Sequence, residues 1–453
     1  MTYLKLEDTT VLCFNFDEHY YEIPHPELLP FYLRDNIHDT TKITDEIRKI
    51  EIGYENQIQI TDYFSSRSLS VNRENAKYIM NQLHIKQNNN KETRYKVMIL
   101  CKALSVADNY WLTNDEKERW KDVNLSENPL HKTLQQIALF GRSLTITGKL
   151  LSPELTGQGA YAKAWYRENN ILYLYKASTA GGNESEREVL TSEILDCFNV
   201  PHVEYTLHNV EGKTVCKCKN MNVINSSIVD SLEFDTWCSK KGLNFIDEAR
   251  KLDPEMYYKT IVVDYLIANR DRHEGNWGFY MNNKTGKIVG MHPLFDHNNA
   301  FDTAFMDDAT GGFCQLVDGK NQKEAALNAI KHCDFRCIKP VTKNMFLNEK
   351  MYQTFMSRAC ELGLYKRNPE NKLKRFLTGN KEDFIPISIK EDNTKEYWNK
   401  INVGLNSFDT KTVQNEKRLT NILDLRKTNP EIFVSNRTTN QELNKDYDFG
   451  KER

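Results

Sequence analysis

The chain has 453 residues, 39% of them apolar, and a formal net charge of −2 at pH 7. This length and apolar share are sufficient for two or three domains with sizeable cores. The near-neutral charge argues against direct nucleic-acid binding through a basic surface. Because we find no signal peptide and no apolar run of membrane-spanning length, we expect a cytoplasmic protein without a membrane partner.

Residues 1–140 are predicted to form an N-terminal α/β region whose role the sequence does not reveal. A helix is expected over residues 72–83, because the apolar residues there repeat at helical spacing. The polar run 86–92 is expected to be an exposed loop. The short apolar run 97–101 is expected to be a strand.

Small and polar residues dominate residues 152–163, which we call the glycine loop because it contains Gly157 and Gly159. Where side chains are small, backbone N–H groups can approach phosphate oxygens closely. The loop nevertheless lacks the Gly-Lys-Ser/Thr of a Walker A motif and the Gly-x-Gly-x-x-Gly of standard protein kinases. On its own it is as compatible with a plain hairpin loop as with a phosphate-binding lid.

An apolar strand is predicted over residues 171–177, with Lys176 near its end. A helix is predicted to follow, with Glu188 near its start. Its apolar face has residues spaced by four, namely Leu190, Ile194 and Phe198. A lone lysine on a strand is usually a solvated charge, so Lys176 becomes a candidate only because of the motifs that follow it.

Ten cysteines are present, and two pairs are closely spaced, Cys216 with Cys218 and Cys333 with Cys337. Neither pair has a second pair at the spacing of a zinc ribbon. We therefore expect buried thiols rather than disulfides or zinc ligands.

A buried helix is predicted to begin at Asp253 and Pro254, because aspartate caps helices well and proline suits the first helical position. The helix leads directly into residues 269–276, Asn-Arg-Asp-Arg-His-Glu-Gly-Asn. We call this segment the Asp271 loop. Because the Asp271 loop directly follows this buried helix, we expect the helix to fix the start of the loop.

A β-hairpin is predicted after the Asp271 loop, with strands over residues 277–281 and 287–291 and a turn-forming run between them. A hairpin brings its two ends together. Asn276 before the hairpin and Asp296 after it can therefore face one ion.

Phosphoryl transfer needs a carboxylate beside the attacking hydroxyl and oxygen ligands that hold Mg²⁺ against the phosphates. Asp271 suits the first role, and Asn276 and Asp296 suit the second. In protein kinases the catalytic aspartate precedes a metal-binding asparagine by five residues, with a second metal-binding aspartate further on. Asp271 and Asn276 have this spacing. A satisfied polar network at a helix end is the alternative for such a cluster.

The Asp271 loop, followed by Pro-Leu-Phe-Asp at residues 293–296, resembles the HipA-like serine/threonine kinases. The resemblance implies Asp271 as the catalytic base or the residue that orients the substrate hydroxyl. It implies Asn276 and Asp296 as Mg²⁺ ligands. For His273, a nucleotide contact and a hydrogen bond that stabilises the loop both remain open, and we favour the loop role.

A kinase also needs a lysine on the phosphates and a glutamate that holds it. The resemblance assigns these roles to Lys176 and Glu188, although Arg187 stands where the family has asparagine. Glu186 and Glu193 are the competing glutamates.

The glycine loop resembles the family's short loop more loosely, through Gly157, Gln158, Gly159 and the following Lys163. The resemblance implies that these residues contact the nucleotide. The family also autophosphorylates a serine in this loop, which would make Ser152 or Thr156 the acceptor here. The order of motifs along the chain supports the resemblance more than this loop does.

The resemblance implies an α+β fold of the two-lobed protein-kinase type, with the N-terminal α/β region added to it. We expect residues 216–221 to cross between the lobes and to bind adenine through the backbone. The predicted boundaries are 1–140 for the N-terminal region, 141–220 for a small sheet-rich lobe, 221–434 for a larger helical lobe and 435–453 for a disordered tail.

These patterns together predict an ATP- and Mg²⁺-dependent serine/threonine protein kinase that also phosphorylates itself, with a protein substrate as its partner. An antitoxin-like partner protein, as in the family's toxin–antitoxin pairs, is an open alternative. Two other functions also stay open, namely a kinase-fold enzyme for a lipid or small-molecule hydroxyl and a non-catalytic ATP-binding docking module. The presence of Lys176, Asp271, Asn276 and Asp296 together argues against a decayed site.

Overall fold

Helices and antiparallel sheets alternate along the chain, which has a mixed α+β structure. The computed structural model describes residues 1–85, 90–157, 159–370 and 382–406. Met1–Leu405 forms one compact unit, and the second unit, Asn406–Arg453, lies almost entirely outside the described residues. The domain boundaries and the disordered tail therefore remain predictions. No helix in the described part of the chain is long and apolar enough to span a membrane.

The N-terminal sheet shares an apolar core with the helices around it. Its strand order is β3-β2-β1-β4, and all neighbours are antiparallel. The strands are β1 Thr2–Leu6, β2 Thr9–Asn15, β3 Tyr20–Glu22 and β4 Tyr110–Thr113. The helices are α1 Glu46–Arg67, α2 Ala76–Gln82, α3 Lys91–Leu100 and α4 Lys132–Phe140. Leu4, Leu12, Ile60 and Phe64 are buried together, as expected where a sheet and helices cover each other.

The second sheet contains the predicted lysine strand. Its order is β5-β6-β8-β7, with strands β5 Lys163–Glu168, β6 Ile171–Ala177, β7 Tyr205–Val210 and β8 Lys213–Lys219. Helix α5, Glu184–Leu195, connects β6 to β7 and packs on the sheet with Leu190 and Ile194 buried. The strand predicted over residues 171–177 is thus confirmed, and so is the apolar face of the helix.

The third sheet, of order β11-β10-β9, contains the predicted hairpin. Its strands are β9 Ser226–Asp230, β10 Gly278–Asn282 and β11 Ile288–Met291. Gly286 closes the hairpin turn at φ +65°, a conformation that favours glycine. The crossing predicted for residues 216–221 lies further along the chain. Residues 216–219 belong to β8, so the connection from the second sheet to the third runs through residues 220–225.

Most of the regular elements in the described chain from residue 231 onward are helices. They are α6 Ser231–Lys240, α7 Phe245–Leu252, α8 Pro254–Leu266, α9 Thr303–Met306, α10 Gln322–Ala329, α11 Glu349–Glu361 and α12 Thr394–Asn406. Among them, α6 and α7 pack against the third sheet, while α10 and α11 pack on α8. A small antiparallel pair, β12 Tyr365–Arg367 and β13 Phe384–Pro386, follows α11. The predicted start of α8 is confirmed, because the Asp253 side chain accepts a hydrogen bond from the Met256 N–H.

The strand predicted over residues 97–101 is wrong, because most of this run lies in α3. The side chain of Asn90 accepts a hydrogen bond from the Thr93 N–H at 2.8 Å and so caps the helix. Thr93, Val97 and Met98 are buried on one helical face. A short apolar run does not distinguish strand from helix, and here the cap and the helical spacing decide.

Two further N-terminal predictions need correction. The helix expected over residues 72–83 begins only at Ala76, because Asn75 has a left-handed backbone with φ +68°. Of the expected polar loop, residues 86–89 lie outside the described residues. Lys91 and Glu92 belong to the first turn of α3 rather than to a loop.

The ten cysteines all lie among the described residues and carry free thiols. Cys216, Cys218 and Cys337 are buried, and Cys333 is half-buried. The expectation of buried thiols is therefore confirmed for three of these four residues.

Candidate active site

A buried ion pair fixes the Asp271 loop to α8. The guanidinium of Arg272 donates to the Asp264 carboxylate from Nε at 3.0 Å and from Nη2 at 2.8 Å. Its Nη1 donates to the carbonyl oxygens of Asn276 at 2.7 Å and Phe295 at 3.2 Å. Burial alone would lower the pKa of Arg272, but the Asp264 carboxylate raises it. One charged side chain thus joins α8, the Asp271 loop and the segment after β11.

Amide side chains hold Asp271 at both its backbone and its carboxylate. Asn276 Nδ2 donates to the Asp271 carbonyl oxygen at 2.7 Å. Asn299 Nδ2 donates to Asp271 Oδ2 at 2.7 Å, and Asn299 in turn accepts a hydrogen bond from Tyr161 of the glycine loop at 3.4 Å. Asp271 is half-buried. Its carboxylate is therefore oriented without being sealed from solvent.

The predicted metal ligands Asn276 and Asp296 lie on segments joined by Arg272. The nitrogen of the Asn276 amide is engaged by Asp271, which leaves the oxygen Oδ1 as the atom for a metal. Asp296 has φ +60°, a backbone conformation that residues other than glycine rarely adopt and that concentrates at functional sites. Asn298 Nδ2 donates to Asp296 Oδ1 at 2.7 Å.

Lys176, Glu188 and Asp296 meet in one cluster, in which Lys176 and Glu188 are buried and Asp296 is half-buried. Lys176 Nζ lies 3.1 Å from Glu188 Oε2 and also contacts Asp296 Oδ1. Glu188 is fully buried, and its second oxygen accepts the His297 N–H at 2.9 Å. The competing Glu186 instead accepts a hydrogen bond from Ser178. The structure therefore pairs Lys176 with the glutamate that the sequence favoured.

The charges in this cluster stabilise one another. Burial disfavours the Lys176 ammonium, yet Asp296 and then Glu188 raise its pKa well above the ordinary value. Burial would raise the pKa of Asp296, but the Lys176 charge lowers it to about 2. Burial raises the pKa of Glu188, and Lys176 opposes that change. The lysine at the centre of the cluster therefore favours the ionised form of Asp296, whereas at Glu188 burial outweighs its effect.

Lys163 lies beside this cluster. It begins β5 and faces Lys176 directly across the strand pair. Burial, followed by the charge of Arg73, lowers the pKa of Lys163 to about 7. A β-carbon added to Gly159, which has φ +93°, would lie 2.8 Å from Lys163 Nζ. The glycine loop therefore closes over Lys163, and Gly159 permits the close approach.

The rest of the glycine loop is partly buried. Ser152 and Glu154 are fully buried, and Ser152 donates a hydrogen bond to the Glu154 carboxylate. Thr156 is half-buried and donates to the Pro153 carbonyl oxygen at 3.3 Å. Gln158, predicted to contact the nucleotide, lies outside the described residues. Of the two candidate phosphoacceptors, Thr156 is the more accessible.

His273 lies on the exposed side of the Asp271 loop. Its Nδ1 accepts a hydrogen bond from the Gly275 N–H at 3.0 Å, which caps the short turn Glu274–Asn276. This hydrogen bond is consistent with the loop-stabilising role that the sequence favoured for His273. A nucleotide contact of His273 stays a prediction.

Sequence reasoning missed Arg272 and Asn299 as parts of the site. Arg272 stands next to Asp271, and its partner Asp264 is only eight residues away, so a buried helix ending near a charged loop was a usable signal. Asn299 reaches Asp271 over 28 residues, and no local pattern marks such a contact.

The central part of the chain matches a known protein family. Residues 165–332 match the family model described as HipA-like kinase. This stretch is therefore similar to the HipA-like kinases. It includes Lys176, Glu188, Asp271, Asn276 and Asp296, whereas the glycine loop precedes it.

Similarity to individual proteins is distant. The serine/threonine-protein kinase CtkA of Helicobacter pylori is 26% identical over 151 residues, which cover 28% of this chain and about half, 46%, of that protein. The crystal structure of a Helicobacter pylori proinflammatory kinase CtkA has 18% identity and a TM-score of 0.35, and the match covers 46% of this chain and 89% of that one. A Shewanella oneidensis HipA, solved with HipB and operator DNA, has 12% identity and a TM-score of 0.42. The match covers 90% of this chain and 97% of that one.

Proposed function

We propose that the protein is an ATP- and Mg²⁺-dependent serine/threonine kinase. The observation that carries this proposal is the convergence of two carboxylates on Lys176, Glu188 from α5 at 3.1 Å and Asp296 from the segment after β11. Phosphoryl transfer by kinases uses such a lysine on the phosphates, held by a glutamate. The two-lobed arrangement, with adenine bound near residues 216–221, belongs to the same proposal.

The residues present fit a magnesium–nucleotide complex. Asp296 and Asn276 offer the hard oxygen donors that Mg²⁺ prefers, and Mg²⁺ usually takes few protein ligands. The buried Oδ1 of Asn298 has no hydrogen-bond partner among the described residues, so it is available to a metal-bound water. When bound, Mg²⁺ neutralises charge on the phosphate oxygens. Lys176 would then turn from Asp296 to a phosphate oxygen while Glu188 keeps it in place.

Asp271 would act on the acceptor hydroxyl. Its carboxylate, oriented by Asn299, accepts the hydroxyl proton as the hydroxyl oxygen bonds to the γ-phosphorus. The bond between that phosphorus and the β–γ bridging oxygen breaks, and ADP leaves. Arg272 keeps Asp271 and Asn276 in one loop, so the base and the metal ligand hold a constant separation.

The proposal also includes the kind of hydroxyl group that accepts the phosphate. The relative CtkA is a serine/threonine-protein kinase, which supports a protein hydroxyl over a lipid or a small molecule. Autophosphorylation is proposed at Thr156 before Ser152, because Ser152 is fully buried. An antitoxin-like partner stays a prediction.

The test is transfer of the labelled γ-phosphate of ATP, with and without Mg²⁺, onto a serine/threonine peptide library, phosphoinositide vesicles and the protein itself. The Asp271→Asn variant is the inactive control. Mg²⁺-dependent label on peptides from the wild type alone supports the proposal. Label confined to vesicles would replace it with a lipid kinase. ATP binding without any transfer would replace it with a docking module, once mass spectrometry has excluded a phosphorylated glycine loop.

A further inference from the structure

A segment of the N-terminal region is hydrogen-bonded to the glycine loop. We call residues 69–75 the bracing segment. The Leu69 N–H donates to the Leu155 carbonyl oxygen at 2.9 Å, and the Glu74 N–H donates to the Ala160 carbonyl oxygen at 2.7 Å. These bonds attach the glycine loop at two places to a part of the chain that the HipA-like match does not include.

Arg73, in the middle of the bracing segment, spans the glycine loop from its start to its end. Its Nη1 donates to the Glu154 carbonyl oxygen at 3.3 Å, and its Nη2 donates to the Lys163 carbonyl oxygen. A β-carbon added to Gly157 would lie 2.7 Å from the Arg73 Nη1. The guanidinium therefore fills the space that the missing side chain of Gly157 leaves.

Arg73 has no carboxylate in direct contact among the residues that the structure describes. Burial lowers the pKa of Arg73 to about 10, and the more distant carboxylate of the buried Glu154 opposes that change. Arg73 is only 4% exposed, and among the described residues it forms no ion pair within 4 Å. Both of its acceptors are backbone carbonyl oxygens, and its Nε is buried without a hydrogen-bond partner in the described part of the chain. Buried charges are normally paired, because leaving them unpaired costs free energy. Arg73 and the half-buried Lys163 both adjoin the glycine loop, and such a concentration of cationic groups is the environment that an anion requires.

We propose that Arg73 is a positioning residue for the nucleotide, holding the glycine loop closed over the phosphates and over Lys163. The N-terminal region then completes the nucleotide site. This inference rests on the proposed kinase function and assigns part of it to a residue outside the family match.

The chemistry of arginine explains why lysine would not replace it fully. The planar guanidinium donates in two directions and can bridge two carbonyl groups, whereas an ammonium is a point charge. The hydrogen bonds of Arg73 go to the glycine loop, whereas the Asp271 carboxylate is oriented by Asn299. Loss of Arg73 should therefore weaken ATP binding in the ground state and the transition state alike, which raises KM and leaves kcat nearly unchanged.

The test compares Arg73→Met and Arg73→Lys with wild type in the full chain. Arg34→Met is the matched control, because Arg34 also lies in the N-terminal region and donates to two backbone carbonyl oxygens, those of Leu29 and Gly286. We expect Arg73→Met to raise the KM for Mg·ATP at least tenfold with kcat within threefold, Arg73→Lys to lie between it and wild type, and Arg34→Met to match wild type. An unchanged KM in folded Arg73→Met would overturn the inference.

A second measurement covers the case in which Arg73→Met does not fold. In wild type, Mg·ATP should slow hydrogen exchange of the Leu69 and Glu74 amides, which donate to the glycine loop. Exchange unchanged by saturating Mg·ATP would overturn the inference while leaving the kinase proposal intact. If wild type binds no Mg·ATP at all, the kinase proposal fails first, and the inference fails with it.

Discussion

The Asp271 loop and the glycine loop belong to the same site but are held in different ways. The Asp271 loop is bonded to itself and to the helix before it, since Asn276 bonds to Asp271 five residues away and Arg272 bonds to Asp264 eight residues away. Its bond from Asn299 spans 28 residues. The glycine loop is held by Arg73 from 81 and 90 residues away. A loop held locally can form with its own helix and hairpin, whereas a loop held from a distance depends on a second region.

This difference has a functional meaning under the proposed mechanism. The backbone of the Asp271 loop would be positioned mainly by α8 and the hairpin, while Asn299 orients the Asp271 carboxylate. The glycine loop, which would cover the phosphates, would be adjustable, because the residue that holds it, Arg73, belongs to the N-terminal region. Mutations in the first set should therefore remove chemistry, and mutations in the second should change nucleotide affinity.

Asp271→Asn should have the largest effect on turnover. The amide cannot accept the hydroxyl proton, so we expect kcat to fall on the order of a thousandfold, as for loss of a general base. The dissociation constant for Mg·ATP should stay within about twofold, because no nucleotide ligand changes. Single-turnover kinetics and ATP titration measure the two quantities. A kcat equal to wild type would show that another group accepts the proton.

Arg272→Met should have the largest effect on stability. It leaves the buried Asp264 carboxylate without its charged partner, with only the Asn269 amide still donating to it, and this costs roughly 3–5 kcal/mol of unfolding free energy. Denaturant unfolding measures this loss. Arg270→Met is the control, because Arg270 pairs with the partly exposed Asp308, and such pairs contribute about 1 kcal/mol or less. Equal losses for the two arginines would contradict the buried role of Arg272.

Lys176→Met should weaken ATP binding and change how stability depends on pH. The folded pKa of Asp296 is about 2, below that of unfolded aspartate at roughly 3.9. The ion pair therefore stabilises wild type fully above about pH 4, and this contribution is lost as pH falls towards 2. The difference in Tm between wild type and Lys176→Met should be largest near neutral pH and should shrink over that window. A difference constant from pH 7 to pH 2 would mean that the pair does not stabilise the fold.

His273→Ala should have the smallest effect. It removes one hydrogen bond to the Gly275 N–H on the exposed side of the loop, worth about 1 kcal/mol or less. We expect kcat/KM within about threefold of wild type. A large rise in the KM for Mg·ATP would instead favour the nucleotide contact that the family resemblance allows.

The same contrast explains what could be predicted from the sequence. The strand of Lys176, the cap at Asp253 and the hairpin before Asp296 follow from spacing, capping and turn residues, which act over a few positions. The strand prediction for the run 97–101 is wrong because its apolar residues suit a strand and a helix equally, and the cap at Asn90 decides the outcome. Asn299 and Arg73 could not be found, because their contacts form only when distant segments pack together.

The facing lysines of β5 and β6 have a practical consequence. Like charges directly opposite each other in an antiparallel pair repel, and the carboxylates of Asp296 and Glu188 compensate the Lys176 charge that faces Lys163. An anion that binds beside these two lysines stabilises the folded protein, and at a given concentration the stabilisation grows as its dissociation constant falls. Thermal melting in a series of phosphate, pyrophosphate and tripolyphosphate buffers should therefore rank polyanions by affinity before any phosphoacceptor is known.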